Sequence, residues 1–185
     1  MLEKIIHETE DKMKKAVEFT RQELSKLRSG KATVALLDDV KIEYYGKKLP
    51  IAQVGTLSTP DAHLITVQPW DKTILHEIEK AILAANVGLT PSNDGTIIRL
   101  PVPALTEERR KELVKVAKKF AEDGRITIRN IRRDSNEHLK KAEKDEHVSE
   151  DERKHGETEV QKLTDKYIKH LDDILGIKEK EIMEV

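Results

Sequence analysis

Between Leu105 and Glu146 the sequence runs for about 41 residues with no proline and one glycine, Gly124. Read as a single helix, this stretch is about 60 Å long at ~1.5 Å per residue. A compact chain of 185 residues has a radius of gyration of about 16 Å, hence a diameter of order 40 Å. The helix does not fit inside such a globule, so the fold is expected to be elongated. Thr106 is placed to cap its N-terminus, and Glu107 and Glu108 put negative charge on its first turn. Leu113, Val116, Phe120, Ile128, Ile131, Leu139 and Ala142 recur at helical spacing and fall in one sector of a helical wheel. Lys111, Lys115, Lys118, Arg125, Arg129, Arg132 and Arg133 fall in roughly the opposite sector. From Thr106 to Arg133 there are ten Lys/Arg against five Asp/Glu, whereas the whole chain carries a net charge of −1. The excess is therefore local. Its 125–133 segment uses arginine, which suits phosphate forks and stacking on bases better than lysine does.

Two further helices share this periodicity. Leu2 to Arg28 carries a stripe of Leu2, Ile5, Ile6, Met13, Ala16, Val17, Thr20, Leu24 and Leu27, and Ser29-Gly30 stops it. Arg28 and Lys31 put positive charge at that helix end, where dipole capping and ligand binding are both open readings. Near the C-terminus, Ser149 with Glu152 forms a capping box. It opens a helix with a stripe of Val160, Leu163, Thr164, Tyr167, Leu171, Ile174, Leu175 and Ile182. The 143–159 corner holds eight acids against three Lys/Arg and reads as a solvated hairpin tip. Three amphipathic helices bury their stripes together as a bundle.

From Lys31 to Pro103 the period changes. Val40, Ile42 and Tyr44 alternate with polar neighbours as in a strand, and Gly46-Lys47-Lys48 reads as a turn. Leu49 to Leu57 is short, apolar and marked by proline. His63 to Gln68 is a second strand, Ile74 to Asn86 a helix, Thr90 to Gly95 a turn, and Ile97 to Leu100 a last strand. This β-rich segment is read as an insertion. The bundle is then 1–30 and 104–185, and the inserted domain is 31–103. Gly30 is permissive on one connection, and Pro101 and Pro103 stiffen the other, which makes a hinge of limited freedom.

Enzyme chemistry finds no support. The chain has no cysteine, so disulfides, thiolate metal sites and cysteine nucleophiles are excluded. Ser29-Gly30-Lys31-Ala32 lacks both the earlier glycine and the Ser/Thr of a phosphate-binding loop. His76-Glu77 lacks a second histidine one turn on. His147 and His155 sit among acids without a defined ligand set, so neither a metal nor another cofactor is expected. Trp70, the one tryptophan, is read as core packing rather than a base-stacking platform. No apolar run is long enough to span a membrane, the N-terminus resembles no targeting peptide, and a cytoplasmic protein is the simplest expectation.

Several segments then occur in one order: Lys26 to Ala32 (KLRSGKA), Glu43 to Gly46 (EYYG), Ile78 to Ile82 (IEKAI), Leu105 to Lys111 (LTEERRK), Ile128 to Asp134 (IRNIRRD) and Val160 to Asp165 (VQKLTD). As a set they closely resemble the bacterial ribosome recycling factor family over essentially the whole chain. Lys31 stands where that family more often has arginine, and Ala104 where a further proline is common. The resemblance implies an L-shaped α+β protein, an elongated three-helix bundle with an inserted small β/α/β domain, that acts as a monomer without its own active site. It implies binding to the large subunit of the post-termination 70S ribosome through 23S rRNA. With elongation factor G and GTP, the family separates the ribosome into subunits and releases tRNA and mRNA. Carried over, Arg129 and Arg132 match the family's ribosomal-RNA contacts, with Arg110 and Arg28 nearby and Arg133 beside them in the ladder. Gly30, Lys31, Pro101 and Pro103 correspond to the hinge. Two rival readings are a helical scaffold that binds only proteins, its basic stripe merely solvated, and a metal-dependent hydrolase built on the His147–His155 corner.

Overall fold

The structure, a computed structural model, describes residues 1–145 and 147–184. The chain divides into two compact units, Met1–Ser29 with Thr106–Val185 and Gly30–Leu105. Glu146, where the sequence ends its long helix, and Val185, the end of the expected bundle domain, lie outside the described residues.

The first unit is three helices, α1 (Leu2–Ser25), α3 (Glu107–Lys144) and α4 (Glu150–Met183). α1 stops at Ser25 rather than Arg28, because Lys26 and Leu27 donate to carbonyls three residues back and tighten the last turn. α3 has 38 residues, about 57 Å of rod. Thr106 caps it by accepting from the Arg109 amide at 3.1 Å. Ser149 and Glu152 form the reciprocal capping box of α4.

The seam of the bundle differs from the sequence-based stripe. Along α3 the buried residues are Leu113, Ala117, Ala121, Gly124, Ile128, Ser135, Leu139 and Ala142. Phe120 and Ile131 stand half-buried at its edge, and Val116 is exposed. Small side chains face inward at the middle because the neighbours come close there. A Cβ added at Gly124 would meet Thr20 Oγ1 at 2.5 Å and Leu171 Cδ1 at 3.0 Å. Large residues are displaced outward, and the buried sector turns toward the arginine side of α3. Just beyond, Met13, Val17, Ile128, Tyr167 and Leu171 pack as one apolar cluster. Two buried or part-buried side-chain pairs stand inside the bundle. Thr9 and Ser135 hydroxyls lie 2.7 Å apart, both buried, and Tyr167 donates to Glu10 Oε1 at 2.7 Å.

The second unit has two antiparallel sheets, one α-helix and short 3-10 turns. β1 (Lys41–Tyr44) pairs with β2 (Lys47–Pro50) through a two-residue turn, Tyr45-Gly46, both at positive φ as a tight hairpin requires. Lys47 and Lys48 therefore belong to a strand, not to the turn. The second sheet has the order β3-β4-β6-β5, formed by β3 (Gly55–Asp61), β4 (Leu64–Pro69), β5 (Ser92–Asn93) and β6 (Ile98–Pro101). β3 carries no alternating apolar pattern since it is an exposed edge with only Gly55 buried, which is why the sequence hid it. The helix α2 (Leu75–Ala84) is shorter than expected. Asp71 caps a single 3-10 turn before it, and Asn86 at φ +50° ends the helical path. The core comprises Leu37, Val40, Ile42, Ile51, Val54, Ile65, Val67, Ile78, Ile82, Ile98 and Leu100, among others. Trp70 is not in it. The side chain is 67% exposed, and its indole N–H donates to Thr56 Oγ1 at 3.0 Å.

Residues expected to form a hinge are partly built into this unit. The Ala32 amide donates to Ala62 O at 2.7 Å and the Val102 amide to His63 O at 2.8 Å. Both crossing segments are thus tied to the β3–β4 turn. Gly30 sits at φ +77°, and a Cβ there would meet Leu105 Cγ at 2.8 Å. Glycine is required at that position by conformation and by space.

Candidate nucleic-acid interface

α3 supplies the basic row, and its rigidity follows from the seam described above. Residues 125, 129 and 132 are spaced by four and three, so they share one stripe of the helix surface. That stripe does not stand opposite the core, as the wheel suggested. It borders α4: Arg125 donates to Asp172 Oδ1 through Nε at 2.9 Å and Nη2 at 2.5 Å, and Arg132 donates to Gln161 Oε1 at 3.3 Å. The correction follows from the seam. With Ala117, Ala121 and Gly124 inward, the buried sector turns toward the arginines and leaves them on its flank.

Each cation has a different degree of freedom. Arg125 is clamped by Asp172 and by Glu122 Oε2 at 2.9 Å, with 20% of its side chain exposed. Its hydrogen bond to Asp172 is the main reason its pKa is raised. It is a tie between α3 and α4, not an open ligand. Arg129 donates from Nη1 to Glu122 Oε1 at 3.1 Å, its side chain is 41% exposed, and its other donors have no partner among the described residues. Glu122 thus serves two arginines, and their hydrogen bonds, Arg125 first, lower its pKa. Gln161, which accepts from Arg132, donates to Asp165 Oδ1 at 2.9 Å, so Arg132 is oriented by a neutral group with an acid behind it. Arg133, Lys115, Lys118 and Lys119 are exposed and make no ion pair among the described residues, whereas Lys111 pairs with Glu107 at 3.0 Å.

The remaining sequence-predicted residues scatter. Arg110, in the first turns of α3, is half-buried, and its Nε is buried with no hydrogen-bond partner among the described residues. Arg28 is exposed beyond the end of α1. Lys31 is exposed in the second unit. The structure therefore brings together Arg129, Arg132 and Arg133 in the middle of α3, leaves Arg110 in the first turns of that helix, and leaves Arg28 and Lys31 on other segments. What sequence reasoning missed are the acceptors. Glu122 was visible in principle as the i−3 and i−7 neighbour of Arg125 and Arg129. Asp172 and Gln161 were not, because only tertiary packing brings α4 beside that stripe. Among the described residues no three His, Asp or Glu side chains gather as metal ligands, and no helix is long and apolar enough to cross a membrane.

The architecture defines the class: an α+β protein whose three-helix bundle is interrupted after its first helix by a small unit of two sheets and a helix. The ribosome recycling factor family model matches residues 20–183. The chain belongs to the ribosome recycling factor family, a family of translation factors. It is 55% identical to the ribosome-recycling factor of Fusobacterium nucleatum over 97% of this chain and 96% of that one. Identity to the ribosome-recycling factor of Symbiobacterium thermophilum is also 55%, over the full length of both. A solution structure of the ribosome recycling factor aligns over 100% of this chain and 98% of its own with a TM-score of 0.79 and 46% identity. A second match, at a TM-score of 0.64 and 44% identity over both full chains, comes from models of the T. thermophilus ribosome recycling factor and the E. coli elongation factor G bound to the E. coli post-termination complex.

Proposed function

We propose that this chain docks one copy at a time on the large subunit of the post-termination ribosome through the basic row of α3, and that elongation factor G with GTP then uses it to split the ribosome into subunits, releasing tRNA and mRNA. The carrying observation is the row itself. Arg129, Arg132 and Arg133 stand within two turns of a 38-residue helix, with Arg129 held by Glu122 and Arg132 by Gln161. A rigid rod with guanidinium forks at fixed spacing reads structured RNA through phosphates and shape rather than sequence. Support from relatives is direct: a factor 44% identical to this chain has been placed with elongation factor G on a post-termination complex. In this reading Arg28 and Arg110 add contacts outside the row. The inserted unit is the part the elongation factor moves, and the chain flexes at the two connections around Gly30–Lys31 and Pro101–Pro103. Because residues 32 and 102 are tied to the β3–β4 turn, the compliant bonds are those just outside these ties. The stiff bundle transmits the displacement to the contacts between subunits. The basic row, the family match over residues 20–183 and relatives aligned over the full chain favour this over a scaffold that binds proteins alone.

The test is large-subunit binding by wild type and Arg132→Ala across a salt series. Arg132 is at the surface and its one hydrogen bond is long, so the substitution should change stability by no more than about 0.5 kcal/mol, which helix content and melting will check. Wild type should bind with a steep salt dependence. Arg132→Ala should bind more weakly, with the slope of log K against log salt reduced by about 0.7–0.9 for the lost phosphate contact. Equal binding and equal slopes would mean that the row is only a solvated face.

A further inference from the structure

One carboxylate on the docking face is difficult to reconcile with simple attraction of RNA. Glu122 lies on α3 within the basic row, its side chain 49% exposed, and its two oxygens are divided between Arg125 and Arg129. Structure alone does not need the second of these contacts. Arg125 already has Asp172 on the facing helix, and Arg129 makes no contact with α4 among its hydrogen bonds. Counted together, Arg125, Arg129, Glu122 and Asp172 are electroneutral. Arg125 and Arg129 therefore add little long-range pull on a polyanion. That pull comes instead from Lys115, Lys118, Lys119, Arg132 and Arg133, which make no ion pair among the described residues.

Resting on the docking reading above, we propose that Glu122 is a specificity-determining residue, an internal carboxylate that holds Arg129 in one orientation and makes its use by RNA conditional on where the phosphate stands. The geometry works as follows. Glu122 accepts a hydrogen bond from Nη1 of Arg129, seven residues on, and so lays that side chain back along the helix. The other donors of the fork are left for a phosphate approaching from the solvent side. An RNA surface that places a phosphate there binds Arg129 without disturbing Glu122. Any other RNA must pull the guanidinium off the carboxylate, or set its phosphate beside a second negative charge. Specificity of this kind is a difference between two affinities, obtained by penalising the wrong partner. The lowered pKa of Glu122 keeps it ionised throughout the neutral range, so the penalty is always present.

The experiment compares two ligands, a generic RNA duplex of mixed sequence and isolated large ribosomal subunits. The chains are wild type, Glu122→Gln, Arg129→Ala, the double variant and Asp172→Asn. Glu122→Gln keeps an acceptor and removes the charge. It should tighten binding to the generic duplex by about threefold, the scale of an exposed charge interaction. The salt slope should steepen by about 0.9, for one phosphate gained. Affinity for large subunits should rise by less, so the ratio between the two ligands falls. In the Arg129→Ala background the gain should vanish. Asp172→Asn makes the same change in net charge without touching Arg129 and should not reproduce it. The proposal is overturned if Glu122→Gln leaves the duplex affinity unchanged, lowers it, or raises both affinities equally, or if Asp172→Asn gives the same gain. Failure of the docking reading shows separately, as undiminished large-subunit binding by Arg129→Ala, whatever the duplex arm reports.

Discussion

The buried hydroxyl pair between α1 and α3 makes a prediction whose sign is not intuitive. Thr9 and Ser135 are 2% and 5% exposed, and their Oγ atoms lie 2.7 Å apart. Thr9 also donates to the Ile5 carbonyl at 2.7 Å. A hydroxyl has one proton, so Thr9 accepts from Ser135, and Ser135 is the donor of the pair. Ser135→Ala deletes that donor and leaves no orphaned proton. Its cost is one hydrogen bond, about 1 kcal/mol, with a few tenths returned by alanine's better helix propensity. Thr9→Val deletes the acceptor and strands the Ser135 proton in the interior, which costs about 1–3 kcal/mol. The shape of the site is kept by valine, so lost packing contributes little. Replacing both removes donor and acceptor together and should be nearly neutral, within about 1 kcal/mol of wild type. The double variant should therefore be more stable than the sum of the singles predicts, by about 2 kcal/mol. Urea unfolding followed by circular dichroism at 222 nm reads the helices and hence this unit. If the two losses add to within about 0.5 kcal/mol, the donor assignment and the argument from an orphaned group are both wrong.

Two other predictions follow from local geometry. Gly124→Ala gains about 1 kcal/mol of helix propensity, but its Cβ would press on Thr20 Oγ1 and Leu171 Cδ1, and overpacking costs about 1–3 kcal/mol. A net loss near 1 kcal/mol is expected in the same urea assay, relieved when Thr20→Ala is added. Asp94 caps the turn before β6, accepting from the Ile97 and Thr96 amides and from Arg99, and these bonds, led by the two amides, depress its pKa to about 2. A carboxylate depressed in the folded state stabilises above its unfolded value near 4, and that contribution is lost as pH falls toward 2. In unfolding of the second unit followed by Trp70 fluorescence, Asp94→Asn should lower the midpoint at pH 7 and lose most of that difference by pH 2. A difference that persists undiminished in acid would show that the carboxylate charge is not what the turn uses.

Much of the local structure could be read from the chain. Thr106 and the Ser149/Glu152 box act as caps, because capping depends on four consecutive residues and nothing else. The three long helices, the β-rich insertion between the first two, and most of its strands are likewise consequences of near-neighbour spacing. Tertiary structure decided what faced what. Val116 and Phe120 look like core and are not, since Ala117, Ala121 and Gly124 take the inward positions, with Thr20 and Leu171 packed close against Gly124. Trp70 looks like core because tryptophan usually is, yet its indole bonds to an exposed threonine on the neighbouring strand. β3 gave no signal, because an edge strand buries almost nothing. The arginine row shows the division most clearly. Its residues and their helical spacing are properties of the sequence. Arg125 is locked by Asp172, 47 residues further along the chain, whereas Arg129, bonded only within its own helix, is left with open donors. Charge is written residue by residue, but its availability is a difference between partners in space, and only the fold supplies the partners.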